Sequence, residues 1–315
     1  MFKKIEKIIH EGTKFLIASH IDPDGDALGS AFSLYWVLKS LGKDPRVYLK
    51  DNVPYRYDFL PGPREVLHTL PEERFDAVFV LDCGDLLRIG DGSERIKNMG
   101  TIISIDHHET NEAFGAINIV ERSASSTAEV LYGLYGSMEI DFSYNIAVNV
   151  YTAVFTDTGS LRYENAAPAA FIICEKMVEA GVKPAYVAQM VYESHPKERF
   201  LLLGEVFRTL RTFDGDRIAM AHVTEKMFRE TGTTSEYTDG FSEEFRKIRG
   251  VEASVFIRQT DVKRYKISMR SKGTIDVAQI CGLFGGGGHK NAAGCTINGD
   301  LMEVEGQLRK AFNIE

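Results

Sequence analysis

Long apolar runs are missing from this 315-residue chain. None reaches the roughly 20 residues that span a bilayer, so the sequence predicts no membrane segment. A secretory signal is missing too. Glu6, Lys7 and His10 interrupt any apolar stretch in MFKKIEKIIHEGTKF, and Phe2, Ile5, Ile8 and Ile9 have the spacing of an amphipathic helix. Cysteine is scarce: Cys83, Cys174, Cys281 and Cys295 are scattered, with no CxxC pair. That argues against a disulfide framework or a zinc–cysteine site and for reduced thiols in a cytoplasm. Excess positive charge is also lacking. The net charge of −8 disfavours a protein that coats DNA. There is no internal repeat and no low-complexity segment.

What is present is an ordinary globular composition, 44% hydrophobic and 26% charged, with material for two domains or one large one. The charge is uneven. Residues 241–290 hold ten Lys/Arg against five Asp/Glu, a window of +5 in a chain whose remainder is −13. An acidic body with a basic C-terminal part suits a metal-rich site that must also attract an anion.

The first half alternates short apolar runs with amphipathic helices. FLIASH (15–20), RVYLK (46–50), DAVFVLDCGD (76–85) and TIISIDHH (101–108) read as strands, and 27–42 as a helix ending at Gly42. Continuous apolar strands between helices predict an α/β fold, a parallel sheet with helices on both faces. Ligands of such sheets sit beyond the carboxyl ends of the strands. There the sequence places His20 with Asp22, Asp24 and Asp26, then Asp82, then Asp106-His107-His108. Asp157 falls at a similar turn in NVYTAVFTDTGSLRY. Residues 168–182 look helical, and a long helical stretch runs from about 184 to 212. The strands 217–224, 252–260 and 264–271 follow, the last two as a hairpin. Then come a helix near 275–284, the run Gly285-Gly286-Gly287-Gly288-His289, and a closing helix from about 300. The expected organisation is a catalytic domain over 1–185, a helical connector over 186–213 and a smaller α/β domain over 214–315.

HIDPDGDALGS looks at first like a calcium loop. Counting from Asp22, however, position 6 is Ala27 and position 12 is Ser33, so the glycine falls one place early and the closing Glu is absent. Taken together, the clusters offer histidines and more carboxylates than one divalent ion needs. Mixed His/Asp ligation suits Mn²⁺, Fe²⁺, Co²⁺ or Zn²⁺. Two ions about 3.5–4 Å apart, bridged by a carboxylate and a water, would clamp the attacking and leaving oxygens of a displacement at phosphorus. Asp24 and Asp26 flank Gly25, so one tight loop could aim them at different ions, with Gly25 permitting an unusual backbone angle. A lone Asp after a strand is more often a turn residue. The joint occurrence of four clusters is what points to a site. GGGGH is the second signal. Glycines let backbone amides approach a phosphate, His289 and Lys290 add donors, and Arg270-Ser271-Lys272 lies shortly before, with an arginine fork for phosphate oxygens.

With HxDxDGDALGS, LDCGD, DHH, TDTGS and GGGGH in this order, the chain resembles the DHH phosphoesterase superfamily over nearly its full length. The form it resembles has a DHH domain and a substrate-binding DHHA1 domain. DHHETNEAFGAINIV, ERSASSTAEVLY, TDTGSLRY and MRSKGTIDVAQICGLFGGGGHKNAAG are similar to the bacterial nanoRNase/pAp phosphatase (NrnA-like) branch. The resemblance implies a site for two Mn²⁺, with Mg²⁺, Co²⁺ or Zn²⁺ as substitutes. His20 and Asp24 would hold one ion, Asp26, His107 and Asp157 the other, and Asp82 both. His108 would face the scissile phosphate as donor or acid, oriented by Asp106. Arg270, Ser271, Gly287, Gly288, His289 and Lys290 would hold the distal phosphate or nucleotide, with Arg162 as a further phosphate contact. The family often has Thr after the Asn matching Asn165, where this chain has Ala166.

The implied activity is hydrolysis of short oligoribonucleotides to mononucleotides and of 3′-phosphoadenosine 5′-phosphate (pAp) to AMP. The expected partners are short RNA and nucleotides, with no long duplex and no membrane, and a homodimer is conceivable. Four other readings compete. Membrane-bound cyclic-dinucleotide phosphodiesterases carry segments ahead of the DHH domain, although stand-alone forms acting on linear pApA exist. RecJ-type exonucleases need extra domains. Manganese pyrophosphatases lack GGGGH. A non-catalytic nucleotide-binding regulator would be expected to have lost a ligand position, and here all are filled.

Overall fold

A computed structural model describes residues 2–314. The chain divides into two compact units, one ending at Ser194 and the other beginning at His195. The first contains α1 (Lys3–Glu11), β1 (Lys14–Ala18), α2 (Gly25–Ser40), β2 (Asp44–Tyr48), β3 (Ala77–Leu81), α3 (Ser93–Ile96), β4 (Thr101–Asp106), β5 (Ile117–Val120), α4 (Thr127–Ser137), α5 (Tyr144–Asp157), α6 (Pro168–Glu179) and α7 (Pro184–Tyr192). Its five strands form a wholly parallel sheet in the order β2-β1-β3-β4-β5.

Alternation along the strands explains the layers. Phe15, Ile17, Phe79, Leu81, Ile103 and Ile105 pack with apolar residues of α2, α4 and α5. Leu16, Ala18, Val78 and Val80 point the other way, onto Phe75, Ile89, Ile96 and Met99. Each such side chain contributes about 1.5–3 kcal/mol on burial. Because both faces are covered, β3 is buried at all five positions. β1 and β3 lie side by side, and the strand order reverses between them. That reversal opens the crevice in which ligands of such sheets bind.

α2 and α5 touch backbone to backbone. A Cβ on Gly29 would lie 2.4 Å from the Asn149 carbonyl oxygen, and one on Gly25 would lie 2.2 Å from Thr156 Oγ1. This corrects the sequence expectation for Gly25. It sits in the first turn of α2 and is not among the residues with positive φ. Its lack of a side chain serves close packing. Asp157 is also corrected: it is the last residue of helix α5, not a turn after a strand. β5 was not foreseen.

The second unit contains α8 (Lys197–Arg208), β6 (Arg211–Phe213), β7 (Ile218–Val223), α9 (Glu225–Thr231), α10 (Phe241–Arg246), β8 (Ala253–Asp261), β9 (Arg264–Ser271), α11 (Val277–Gly282), β10 (Gly287–His289), β11 (Ala292–Asn298) and α12 (Leu301–Ala311). The mixed sheet runs β10-β11-β9-β8-β7-β6, with only β7 and β8 parallel. Val255, Ile257, Ile267 and Met269 face α11 and α12. Ala219, Ala221 and Phe256 face α8 and α10. The single helical stretch expected over 184–212 is broken. α7 ends at Tyr192 and α8 starts after Pro196, because the ring of Pro196 disfavours helical backbone in the residue before it. Of the expected connector, 186–194 thus belongs to the first unit and 195–213 to the second. Among the described residues no helix is long and apolar enough to cross a membrane.

Candidate active site

The crevice between β1 and β3 collects the histidines and aspartates of the first unit. Asp24 caps α2: its Oδ1 accepts from the backbone N–H groups of Asp26 (3.1 Å) and Ala27 (3.0 Å). Asp26, in the first turn of α2, is 1% exposed. Its Oδ1 accepts from Ser30 Oγ at 3.0 Å and from the Ala128 N–H at 3.1 Å, and its Oδ2 accepts from the Thr127 N–H at 2.7 Å. The Thr127 hydroxyl donates to Asp82 Oδ1 at 3.0 Å. The N-terminus of α4 therefore grips two of the carboxylates at once, as helix N-termini do with anions. Asp82 itself sits in the left-handed region, φ 58°. A non-glycine residue there is strained, and such strain clusters at functional sites.

The imidazoles are aimed from behind. His20 Nδ1 donates to the Ile21 carbonyl at 2.8 Å, and His107 Nδ1 donates to the Ala124 carbonyl at 3.2 Å. A carbonyl only accepts, so each Nδ1 carries the hydrogen. In the neutral ring the lone pair is then on Nε2. His20 Nε2 faces Asp82 Oδ2 at 3.5 Å and Asp24 Oδ1 at 3.9 Å. His107 Nε2 faces Asp157 Oδ2 at 3.6 Å, Asp82 Oδ1 at 3.7 Å and Asp26 Oδ2 at 3.8 Å.

These separations exceed hydrogen-bond length. They match the gaps between ligand atoms about 2.0–2.2 Å from a shared ion. Within the first unit the ligand-like atoms form three groups, His20/Asp24/Asp82, Asp26/Asp82/His107 and Asp82/Asp106/His108, each within 4.8 Å. Asp82 belongs to all three, Oδ2 toward His20 and Oδ1 toward His107 and His108. The donor set fits a divalent metal, and the cluster can bind one.

His108 differs. Its Nδ1 donates to Asp106 Oδ1 at 2.7 Å. That same oxygen accepts from the backbone N–H groups of His107 (2.8 Å) and His108 (3.3 Å), while Asp106 Oδ2 accepts from Asn111 Nδ2 at 2.7 Å. Asp106 is thus saturated with donors and orients the histidine pair.

Charge crowding perturbs the buried members of the group. Burial disfavours the charged imidazole of His20, yet the neighbouring Asp82 and Asp24 outweigh it and raise its pKa to about 9. His107 behaves alike, burial being overcome by Asp157, Asp26 and Asp82, also to about 9. Burial pushes Asp157 up to about 7 against the pull of His107, and holds Asp26 well above the usual carboxylate range together with repulsion from Asp82 and Asp157. Asp82 goes the other way. Burial would raise it, but the three imidazoles hold it far below that range. Two carboxylates driven up beside one driven down mark a site in which charge is concentrated for a purpose.

Sequence reasoning named all eight of these residues but missed Ser30, Asn111 and Thr127, and noted Asn165 only for the residue that follows it. Asn165 Nδ2 donates to the Ser125 and Asp157 carbonyls at 3.0 and 3.2 Å, tying the end of α5 to the start of α4. A signal for α4 was present. Ser126 and Glu129 have capping-box spacing, and the Ser126 hydroxyl accepts from the Glu129 N–H. Arg162 lies on the loop after α5, exposed, its Nε donating to the Gly159 carbonyl at 2.6 Å.

The other expected residues belong to the second unit and come together at one end of its sheet. On β9, Arg270 Nε donates to Glu243 Oε1 at 2.6 Å and Nη1 donates to the Met269 carbonyl at 3.0 Å. Burial would raise Glu243, but Arg270 holds it down to about 2. Ser271 is buried and its hydroxyl donates to Asn291 Oδ1 at 3.1 Å. The glycine run is not all loop. Gly287, Gly288 and His289 form edge strand β10, paired with Gly294, Ala293 and Ala292. A Cβ on Gly288 (φ 142°) would lie 2.4 Å from the Ala292 carbonyl oxygen, whereas one on Gly287 would meet open space. Lys290 follows in the turn, its carbonyl accepting from the Val277 N–H at 2.9 Å.

Comparison with known proteins supplies the class. The N-terminal domain of the DHH family matches residues 14–154, and the DHHA1 domain matches residues 217–313. The bifunctional oligoribonuclease and PAP phosphatase NrnA of Thermus thermophilus is 34% identical, covering 95% of this chain and 89% of that protein. Its namesake in Bacillus subtilis is 23% identical, covering 90% and 88%. The crystal structure of an exopolyphosphatase-related protein from Bacteroides fragilis superposes with a TM-score of 0.91 at 28% identity, covering 99% of this chain and 95% of that one. Fold, crevice and these likenesses together define a phosphoric ester hydrolase. The chain belongs to the DHH family, in its two-domain form with DHHA1, and is similar over nearly its whole length to the NrnA proteins.

Proposed function

We propose that this chain hydrolyses short oligoribonucleotides to mononucleotides and pAp to AMP, using two divalent cations, manganese foremost. The observation that carries this reading is the pair of ligand groups sharing Asp82, one oxygen directed to each side. In this reading His20 and Asp24 hold one ion, Asp26, His107 and Asp157 hold the other, and Asp82 touches both. Ions held there would supply Lewis acidity toward a phosphoryl oxygen and ionise a water near neutral pH.

The chain's own groups do the rest. The backbone carbonyls of Ile21 and Ala124 fix both ligating imidazoles with Nε2 forward. Asp106 holds the Nδ1–H of His108, and although burial opposes it, the carboxylates raise the His108 pKa and favour the protonated ring. His108 is thereby suited to donate a hydrogen bond to the scissile phosphate or a proton to the departing oxygen. Arg270, Ser271, Gly287, Gly288, His289 and Lys290, with Arg162, take the distal phosphate or nucleotide. Arg270 supplies a guanidinium held rigid by Glu243, and edge strand β10 supplies backbone amides. Ser271, being buried, acts through Asn291.

The test is purified protein with Mn²⁺ against pAp, pApA, di- to pentaribonucleotides, cyclic di-AMP and pyrophosphate, side by side. Cleavage of pAp and of the short oligonucleotides is expected. Cleavage of pyrophosphate alone would overturn the assignment, and an Asp82→Ala variant with full activity would overturn the two-ion arrangement.

A further inference from the structure

The crevice is strongly anionic. Asp24, Asp26, Asp82, Asp106 and Asp157 bring five carboxylates into it. Even two divalent cations leave such a group short of neutral, and a nucleotide phosphate brings further negative charge. A fixed cation at the rim is needed.

Residues Leu86–Ile89 form a single 3₁₀ turn just past Asp82. Asp85 Oδ1 accepts from the Leu87 and Arg88 N–H groups at 2.8 and 3.2 Å. Leu86 and Ile89 are buried. The Arg88 carbonyl accepts from the N–H of Ile21, the residue after His20, at 2.7 Å. The backbone of Arg88 is therefore pinned at the His20 side of the crevice while its side chain is exposed. Its charge is felt at both His20 and Cys83. Among the described residues its guanidinium makes no hydrogen bond or ion pair. The neighbouring cation Lys50 is by contrast held by Asp91 at 2.6 Å. A guanidinium on a rigid turn, beside the ligand histidine and uncommitted to a carboxylate, is built to take a phosphate fork.

We infer that Arg88 is a phosphate-binding residue of the first unit, contacting a nucleotide phosphate on the His20 side of the crevice. This rests on the nucleotide-hydrolase reading above.

Arg88→Ala and Arg88→Lys should both fold as the parent does, since the side chain is exposed, and circular dichroism checks this. In Arg88→Ala the KM for pAp and for a diribonucleotide is expected to rise about tenfold, the loss of one charge-assisted contact, with kcat changed less than about threefold. The fall of kcat/KM with added salt should become shallower, and Arg88→Lys should recover part of the loss. Calorimetric binding of AMP to the Mn²⁺-loaded proteins should weaken in parallel. A wild type that cleaves nucleotides, with an Arg88→Ala variant matching it in KM, salt slope and AMP affinity, would overturn the inference alone. If the wild type cleaves no nucleotide, it is the parent reading that fails. Binding of inorganic phosphate, weakened about tenfold in Arg88→Ala or unchanged, then still decides the role of Arg88.

Discussion

Asp26 accepts three hydrogen bonds from donors brought to it by the chain more than one hundred residues later and by its own helix. Two of these come from backbone N–H groups, which a substitution leaves in place, but the Thr127 hydroxyl on Asp82 is a side-chain contact. Thr127→Val removes that hydroxyl with little change of shape. It is expected to weaken Mn²⁺ affinity by about 10–100-fold, as loss of a group orienting a ligand does. Titration calorimetry reads this directly, and unchanged affinity would show that Asp82 needs no such support. Of the proposed ligands, His20, Asp82 and His107 were legible in the sequence because they stand at or just past the end of an apolar strand. Thr127 was not, and neither was Arg88. What they offer depends on tertiary placement, and no local pattern of residue types announces it.

At the scale of elements, β10 carries two separable demands. Gly288 has a left-handed φ and no room for a side chain, while Gly287 has both ordinary backbone and open space. Gly288→Ala should therefore lower the melting temperature, by about 1–3 kcal/mol of overpacking with backbone strain added. Gly287→Ala should leave it unchanged, so that any rise in KM there reports on binding. Equal melting temperatures for the two variants would contradict the pairing of Gly288 with Ala293. The sequence reveals four glycines but not which of them the fold requires, because that depends on the approach of β11. The same limit applies to β5, only four residues long and mostly half-buried, which lacks the buried run that made β3 readable. Pro196 did signal the break after α7. The apolar periodicity on either side of it concealed two helices as one.

For the whole molecule, the crowded charges set a pH dependence with a definite sign. His20 and His107 are raised from 6.5 to about 9, and Asp157 from 3.8 to about 7. A group whose folded pKa is raised contributes stability below its unfolded value and loses it as pH climbs through the folded value. Asp82, held low, contributes throughout that range. Chelator-treated protein should thus lose stability from about pH 4 to 9, first through Asp157 and above about pH 6.5 through the two histidines. Mn²⁺ held by these residues would displace those protons, so its affinity should rise over the same interval, and the loaded protein should lack the decline. Thermal melts with and without Mn²⁺ test this. A flat or rising melting temperature in the chelated protein would refute it.

Asp82 stands on a left-handed backbone at φ 58°, buried beside the imidazoles of His20, His107 and His108 that hold its pKa down. The fold accordingly holds the residue proposed to touch both ions at a loss of order 1–3 kcal/mol from backbone strain alone. Asp82→Gly, which relieves that strain, should melt later than Asp82→Ala, which keeps it, in the presence of chelator, and neither should cleave nucleotide. Among replacements at this position glycine is the one the backbone favours, and any stabilised version of this hydrolase should be sought with Asp82 held fixed.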